Sequence, residues 1–266
     1  MLKDITLGQY YPSGSCIHRL DPRVKLMGTL LFMISLFVND TYYGYIVITL
    51  FYALMVALSR VPFGYIVKGL KPILFIIVFT AALNLFMTDG DVIVRIWKLK
   101  ITVQGVEKTV FLCIRIILLV LGTTLMTLTT SPNSLTSGLE KGLGFLKYIG
   151  VPISAIAMMI SIALRFIPIL TEEMDKIMKA QTARGADFES GNVFKRIYAM
   201  VPLLVPLLIS AFRRAGDLAM AMDARCYSDS ENRTKLHPLR YRRADLIAYV
   251  ILAIYMAAVI AIRIIL

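Results

Sequence analysis

The chain has 266 residues, 58% of them hydrophobic, and a formal net charge of +12. That apolar share and a mean hydropathy of +0.73 exceed what soluble domains carry, roughly 45–50% apolar, and exclude a water-soluble globule in favour of an integral membrane protein. No basic tract interleaves with aromatics, so the positive charge reads as cytoplasmic loops held at anionic lipid rather than as a nucleic-acid surface.

Residues 1–25 form a polar segment with Lys3, Arg19, Arg23 and Lys25. No apolar run follows Met1-Leu2-Lys3-Asp4, so the segment is not read as a signal peptide. Apolar runs at 26–38, 42–58, 72–87 and 104–127 predict four spans within a transmembrane region of residues 26–130. A last span at 246–266 falls in a C-terminal transmembrane segment of residues 242–266. The reading is an all-α integral membrane protein with about five transmembrane helices plus cytoplasmic amphipathic helices in residues 131–241.

Arg60, Lys68 and Lys71 make the 59–71 connection basic, whereas the turn at 39–41 has no Lys or Arg. Short-loop cations set topology, which places the N-terminus and the 59–71 loop in the cytoplasm. Parity then puts 88–103 outside despite Arg95, Lys98 and Lys100. Partial alternation over 92–103 predicts a small hairpin at the interface, with Trp97 at headgroup depth.

Residues 131–241 mix apolar stretches with charges of both signs, among them Glu172, Glu173, Asp175, Lys176 and Lys179, then Lys195 and Arg196, then Arg213, Arg214, Asp217 and Asp223. Met174, Ile177, Met178 and Gln181 recur at helical spacing, as do Leu218, Met222 and Cys226, which predicts amphipathic helices. Pro168, Pro202 and Pro206 are expected to kink or start them. Gly185 and Gly191 are expected to break them. A polar linker over 227–244 ends in Arg240, Arg242 and Arg243, a cytoplasmic anchor for the last span.

Each of the two amphipathic stretches ends in an Ala-Arg-small tripeptide: Ala183-Arg184-Gly185 and Ala224-Arg225-Cys226. The arginines stand about 40 residues apart, the length scale of a helical hairpin repeat. A guanidinium at an exposed helix end offers a planar fork of donors suited to an acidic pocket on another protein. An arginine at such a place also complements the helix dipole, and the duplication is what favours docking. Met158, Met159, Met174, Met178, Met220 and Met222 crowd the same helices. They suit either core filling or a surface that accepts several partners.

Enzymatic constellations are missing from the sequence: there is no GxxxxGK[ST] loop and no HExxH. His18 and His237 stand in polar stretches and read as solvated. Ser131, Ser134 and Ser137 read as helix capping, Asp89 and Asp91 as a turn about Gly90, and Glu172, Glu173 and Asp175 as acids complementing a helix dipole. Gly138 and Gly142 form a weak GxxxG. Arg115 and Arg165 are charges in or beside spans, either functional or satisfied by snorkelling and carbonyls. Cys16, Cys113 and Cys226 form no pair. No catalytic residue, metal site or cofactor is expected. A membrane-embedded hydrolase and a stand-alone membrane scaffold remain the alternative classes.

The chain resembles the T component of energy-coupling factor transporters, of the shared-module (group II) branch. Leu7-Gly8-Gln9-Tyr10 and the run from His18 to Leu26 match the family's opening. Ala163-Leu164-Arg165-Phe166-Ile167-Pro168 and Ala180-Gln181-Thr182-Ala183-Arg184-Gly185 match its middle blocks. The two tripeptides occupy its paired X-Arg-X signatures, with Cys226 where glycine is frequent. The resemblance implies a non-catalytic subunit of a vitamin importer in the bacterial cell membrane. Two coupling helices would end in Ala183, Arg184, Gly185 and in Ala224, Arg225, Cys226, each docking into one of two ATP-binding-cassette ATPases. Their apolar faces, with the six methionines, would carry a membrane-embedded S component that binds the vitamin.

Overall fold

A computed structural model describes residues 10–96, 99–186, 188, 193–227 and 238–265. The elements are α1 (Pro22–Val38), α2 (Tyr42–Ser59), α3 (Phe63–Lys68), α4 (Leu74–Met87), β1 (Val92–Ile96), β2 (Leu99–Thr102), α5 (Val103–Thr129) and α6 (Pro132–Gly142). A 3-10 turn (Gly144–Ile149), α7 (Ile153–Ala183), α8 (Val193–Ala224) and α9 (Arg243–Ile265) follow. The protein is an all-α membrane protein with, among the described residues, one two-stranded hairpin. Helices α2, α5, α7 and α9 are long and apolar enough to cross a membrane, and α4 is a shorter apolar helix. The five expected spans fall on helices α1, α2, α4, α5 and α9, of which α2, α5 and α9 are long and apolar enough to cross. Helix α7 adds a further candidate by length and composition.

The chain divides into a first unit, residues 1–142 with 239–266, and a second, residues 143–238. In the first unit α1, α2, α5 and α9 surround a core that includes Phe32, Leu36, Ile48, Leu121, Leu125 and Val259. Burial in hydrocarbon favours pairing of polar groups, and two buried tyrosine hydroxyls of this unit are paired. Ser35 Oγ bonds the Tyr255 hydroxyl, and Tyr52 donates to the Leu121 carbonyl at 3.1 Å. Gly122 lets α1 approach α5, since a Cβ there would sit 2.7 Å from the Phe32 ring.

Arg115, on α5, is satisfied inside this unit. Its Nε donates to the Tyr45 hydroxyl at 2.9 Å, and Nη2 donates to Asp40 Oδ1 at 2.8 Å. The side chain thereby ties the α1–α2 turn to α5, which favours the structural reading over the functional one. The expected hairpin is present: β1 pairs antiparallel with β2, with a register irregularity between Val92 and Val94. Trp97 and Lys98, between the two strands in sequence, lie outside the described residues.

The N-terminal segment is stitched across one end of this bundle, where α1 and α9 begin and α2 and α5 finish. Tyr11 N–H donates to the Leu128 carbonyl at 2.9 Å, and Ser13 Oγ donates to the Ser59 carbonyl at 2.8 Å. Lys25 Nζ donates to the His18 and Thr129 carbonyls at 3.0 and 2.9 Å. Asp21 accepts from Arg23 N–H at 2.9 Å and caps α1, with Pro22 at its first position. Burial raises the Asp21 carboxyl, but its hydrogen bonds from Arg23 outweigh this and hold it below the usual range.

This corrects the reading of His18 as solvated. Its Nε2–H donates to the Tyr11 carbonyl at 2.8 Å, which leaves Nδ1 to accept from Ser15 Oγ at 2.7 Å. Its half-buried setting makes charging costly and pushes the imidazole below its ordinary value, with the neighbouring Lys25 acting in the same direction. A neutral base with a depressed value stabilises the fold above the unfolded value of about 6.5 and loses that contribution as pH falls. Thermal stability in detergent is therefore expected to drop below pH ~6.5. His18→Gln should remove that part of the acid sensitivity; identical pH curves for the two proteins would refute the assignment.

In the second unit α7 and α8 run antiparallel. Arg214 Nη2 pairs with Glu173 Oε2 at 2.9 Å, and the Tyr227 hydroxyl reaches Met158 Sδ at 2.7 Å. Pro168 lies inside α7, and Pro202 and Pro206 lie inside α8. None of them starts a helix, because the apolar and amphipathic stretches on either side fuse into single long helices. Gly191, expected in the break between them, lies outside the described residues, as do Leu7-Gly8-Gln9 and His237.

Candidate partner-docking site

Both tripeptides close their helices in the same way, and hydrogen-bond geometry explains why. At the end of α7, Gly185 N–H bonds the Thr182 carbonyl at 3.0 Å and Ala186 N–H bonds the Gln181 carbonyl at 3.0 Å. At the end of α8, Cys226 N–H bonds the Asp223 carbonyl at 2.9 Å and Tyr227 N–H bonds the Met222 carbonyl at 3.0 Å. Each pair of bonds is a Schellman closure, which consumes two terminal carbonyls that would otherwise lack partners. Arginine holds the C-cap position in both. The residue after it turns left-handed, at φ 91° for Gly185 and φ 52° for Cys226.

A left-handed turn explains the small residue after each arginine. Glycine adopts it without penalty, whereas a Cβ is strained there. Cys226 takes up the same geometry as Gly185 and accepts that strain. Cys226→Gly is expected to stabilise the α8 end by about 0.5–1 kcal/mol. A melting comparison of the two proteins checks this, and a lower melting temperature in the variant would contradict it.

Arg184 and Arg225 are exposed, as are Ala183, Gly185, Ala224 and Cys226. Among the described residues neither guanidinium has a hydrogen-bond or ion-pair partner. The antiparallel pairing sets them at opposite ends of the α7–α8 pair, since Tyr227, just past Arg225, touches Met158 near the start of α7. At 1.5 Å per residue that separation is about 35 Å. Two identical cationic caps so far apart cannot share one small acidic pocket.

The methionines divide between two environments. Met159 and Met220 are 57% and 64% exposed, while Met158, Met174, Met178 and Met222 are half-buried. The larger apolar surface is one that composition alone did not single out. Val201, Leu204, Val205, Leu208 and Phe212 on α8 are all exposed, and their three- and four-residue spacing puts them along one side of the helix. Pro168 and Pro202 are exposed and Pro206 is half-buried. Arg165 is exposed on α7. The Glu173–Arg214 brace was not legible as a pair. Its only sequence signal is opposite charge on two neighbouring amphipathic stretches, and that signal does not choose among the several acids and bases present.

A family model described as cobalt transport protein (CbiQ) matches residues 13–236. Several curated proteins named energy-coupling factor transporter transmembrane protein EcfT are similar over nearly the whole chain. One from Thermosediminibacter oceani is 53% identical, over 94% of each chain. One from Ruminiclostridium cellulolyticum is 49% identical, over 98% of this chain and 97% of its own. One from Bacillus subtilis is 47% identical, over 92% and 93%.

Proposed function

The chain belongs to the family of energy-coupling factor transporter transmembrane proteins, and from that premise we propose that it couples two ATPases to a substrate-binding membrane protein. Arg184 and Arg225 are the ATPase-docking residues, presented by Ala183 and Gly185 on one cap and by Ala224 and Cys226 on the other. The observation that carries this reading is the repeated cap: two exposed guanidinium groups on equivalent helix ends, without a partner among the described residues and far enough apart to serve two sockets. Each offers charge-assisted, bidentate hydrogen bonds to a carboxylate.

The exposed apolar side of α8, with Met159 and Met220, is the surface for the S component. The half-buried Met158, Met174, Met178 and Met222 lie behind it as adaptable packing. Polarizable, flexible side chains suit a surface that accepts several S components in turn, in keeping with a shared-module importer of vitamins. Closure of the ATPase pair on ATP moves the two caps. The Glu173–Arg214 brace keeps α7 and α8 together as that movement reaches the S component. The chain itself is non-catalytic, and hydrolysis belongs to the ATPases. Orientation follows from the basic loops: the N-terminus and both caps face the cytoplasm of a bacterial cell membrane, so α7 and α8, which carry the caps at opposite ends of their pair, lie along the inner face rather than cross the bilayer.

Mass spectrometry of the full chain purified with its native partners tests this directly. Two ATP-binding-cassette ATPases and at least one small membrane protein are expected in the complex. A chain that purifies alone, stable and without ATPases, would end the proposal.

A further inference from the structure

The first unit contains a cleft of ≈ 330 Å³. Its walls come from the N-terminal segment and from α1, α2, α5 and α9, at the end of the bundle where α1 and α9 begin. It reaches from Lys25 to Phe32 along α1 and from Ala244 to Leu252 along α9, about 10–12 Å at 1.5 Å per residue. That is most of one leaflet of a hydrocarbon core about 30 Å thick. Leu58, Ile247 and Ile251 belong to its lining and are 46%, 59% and 42% exposed, so the cleft opens to the surface between α2 and α9.

The chemistry of the lining selects the occupant. Almost every wall is aliphatic or aromatic carbon, and the hydroxyls in the lining are already paired within the chain. Tyr52 donates to the Leu121 carbonyl, Thr29 to the Lys25 carbonyl and Thr129 to the Met126 carbonyl. A polar solute would lose its hydration there and find nothing to replace it. A hydrocarbon chain loses nothing. The exception is Lys25: its ammonium carries three protons, two of which go to the His18 and Thr129 carbonyls. The third remains for an anion where the cleft meets the N-terminal segment.

We propose that this cleft is a binding site for one membrane phospholipid, with an acyl chain between α1, α2, α5 and α9 and its phosphate at Lys25 Nζ. The lipid completes the packing of the bundle beneath the N-terminal segment, and the cation gives anionic headgroups an advantage over zwitterionic ones. This assignment does not depend on the coupling role proposed above.

The test uses the full chain in nanodiscs of phosphatidylcholine doped with a phospholipid that carries a photoreactive group midway along one acyl chain. Phosphatidylglycerol and phosphatidylcholine probes are compared, with photoreactive palmitic acid as a third arm. With phosphatidylglycerol, crosslinks are expected on peptides that hold Gly28, Phe51 and Ala248, saturable at one lipid per chain and displaced by unlabelled lipid. Ala248→Trp fills the cleft and should cut those crosslinks at least tenfold while crosslinks at Phe75 and Phe79 on α4 persist. Lys25→Met keeps the bulk and should bring the two headgroups to parity. The wild-type measurement stands alone if the tryptophan variant fails to fold. Non-saturable labelling spread evenly over the lipid-facing helices would overturn the site. Labelling by palmitic acid but by neither phospholipid would overturn the choice of ligand.

Discussion

Replacing both Arg184 and Arg225 by alanine is expected to abolish association with the ATPases and, with it, substrate uptake. Truncating one partner of a desolvated charge pair at an interface costs about 2–5 kcal/mol, and 1.4 kcal/mol is a factor of ten. Each single substitution should therefore weaken ATPase binding by about 30-fold or more. The caps lie at opposite ends of the α7–α8 pair and share no partner, so the two losses should add. Both side chains are exposed and make no bond to other described residues. Melting of the isolated chain should therefore stay within about 0.5 kcal/mol of wild type, which separates lost docking from misfolding. Arg→Lys should fall between, because it keeps the charge but loses the bidentate fork. Co-purification and uptake by the double variant at wild-type levels would sink the docking assignment.

The largest expected effect on stability lies elsewhere, at Asp245. Its carboxylate is 1% exposed and accepts from the backbone N–H groups of Asp21 at 2.8 Å and Arg242 at 2.7 Å. It fastens the start of α9 to the cap of α1, residues 224 positions apart. Asp245→Ala strands both N–H groups in a buried place, at about 1–3 kcal/mol each. A combined loss of about 3 kcal/mol is expected, with the N-terminal segment released and the melting temperature lowered. Asp245→Asn keeps one acceptor oxygen and should lose roughly half as much. Proteolysis near residues 10–20 reads the release. Wild-type resistance in Asp245→Ala would show that other contacts hold the segment.

The two variants separate the molecule's two kinds of polar group. Asp245 and Arg115 end within the chain, the first on two backbone amides and the second on a hydroxyl and a carboxylate. Arg184 and Arg225 are exposed and meet no partner among the described residues. For a charge on a membrane protein that difference decides its role. A satisfied charge holds the bundle together, whereas an unsatisfied one at a rigid helix end is available to another molecule.

Much of this was legible in the one-dimensional pattern. Apolar runs gave five helices, three of them (α2, α5 and α9) long and apolar enough to cross a membrane, and alternation over 92–103 gave the hairpin. The repeat of Ala-Arg-small after two amphipathic stretches drew attention to the caps. These signals are local: a span, a turn or a helix end is set by residues a few positions apart, through hydration and backbone sterics. The Asp21-Pro22 pair was a local signal of the same kind, a cap followed by proline at the first helical position, and it could have been read as the start of α1.

Composition, periodicity and the duplicated tripeptide by themselves determined the membrane class, the helical elements and the two arginines worth testing. The tertiary structure alone decided that His18 is bonded rather than solvated, that Arg115 is a tie between α5 and the α1–α2 turn, and that Asp245 reaches Asp21. It also decided that the two caps point away from each other and that the prolines lie within continuous helices. His18 is bonded locally, to Tyr11 and Ser15, within a segment that is held in shape by bonds from Tyr11 and Ser13 to the ends of α5 and α2; for Arg115 and Asp245 the physical reason is distance along the chain. Hydrogen bonds between residues 70 to 224 positions apart depend on which helices pack together, and a sequence rich in interchangeable aliphatic residues leaves that pairing open until the helices are in place.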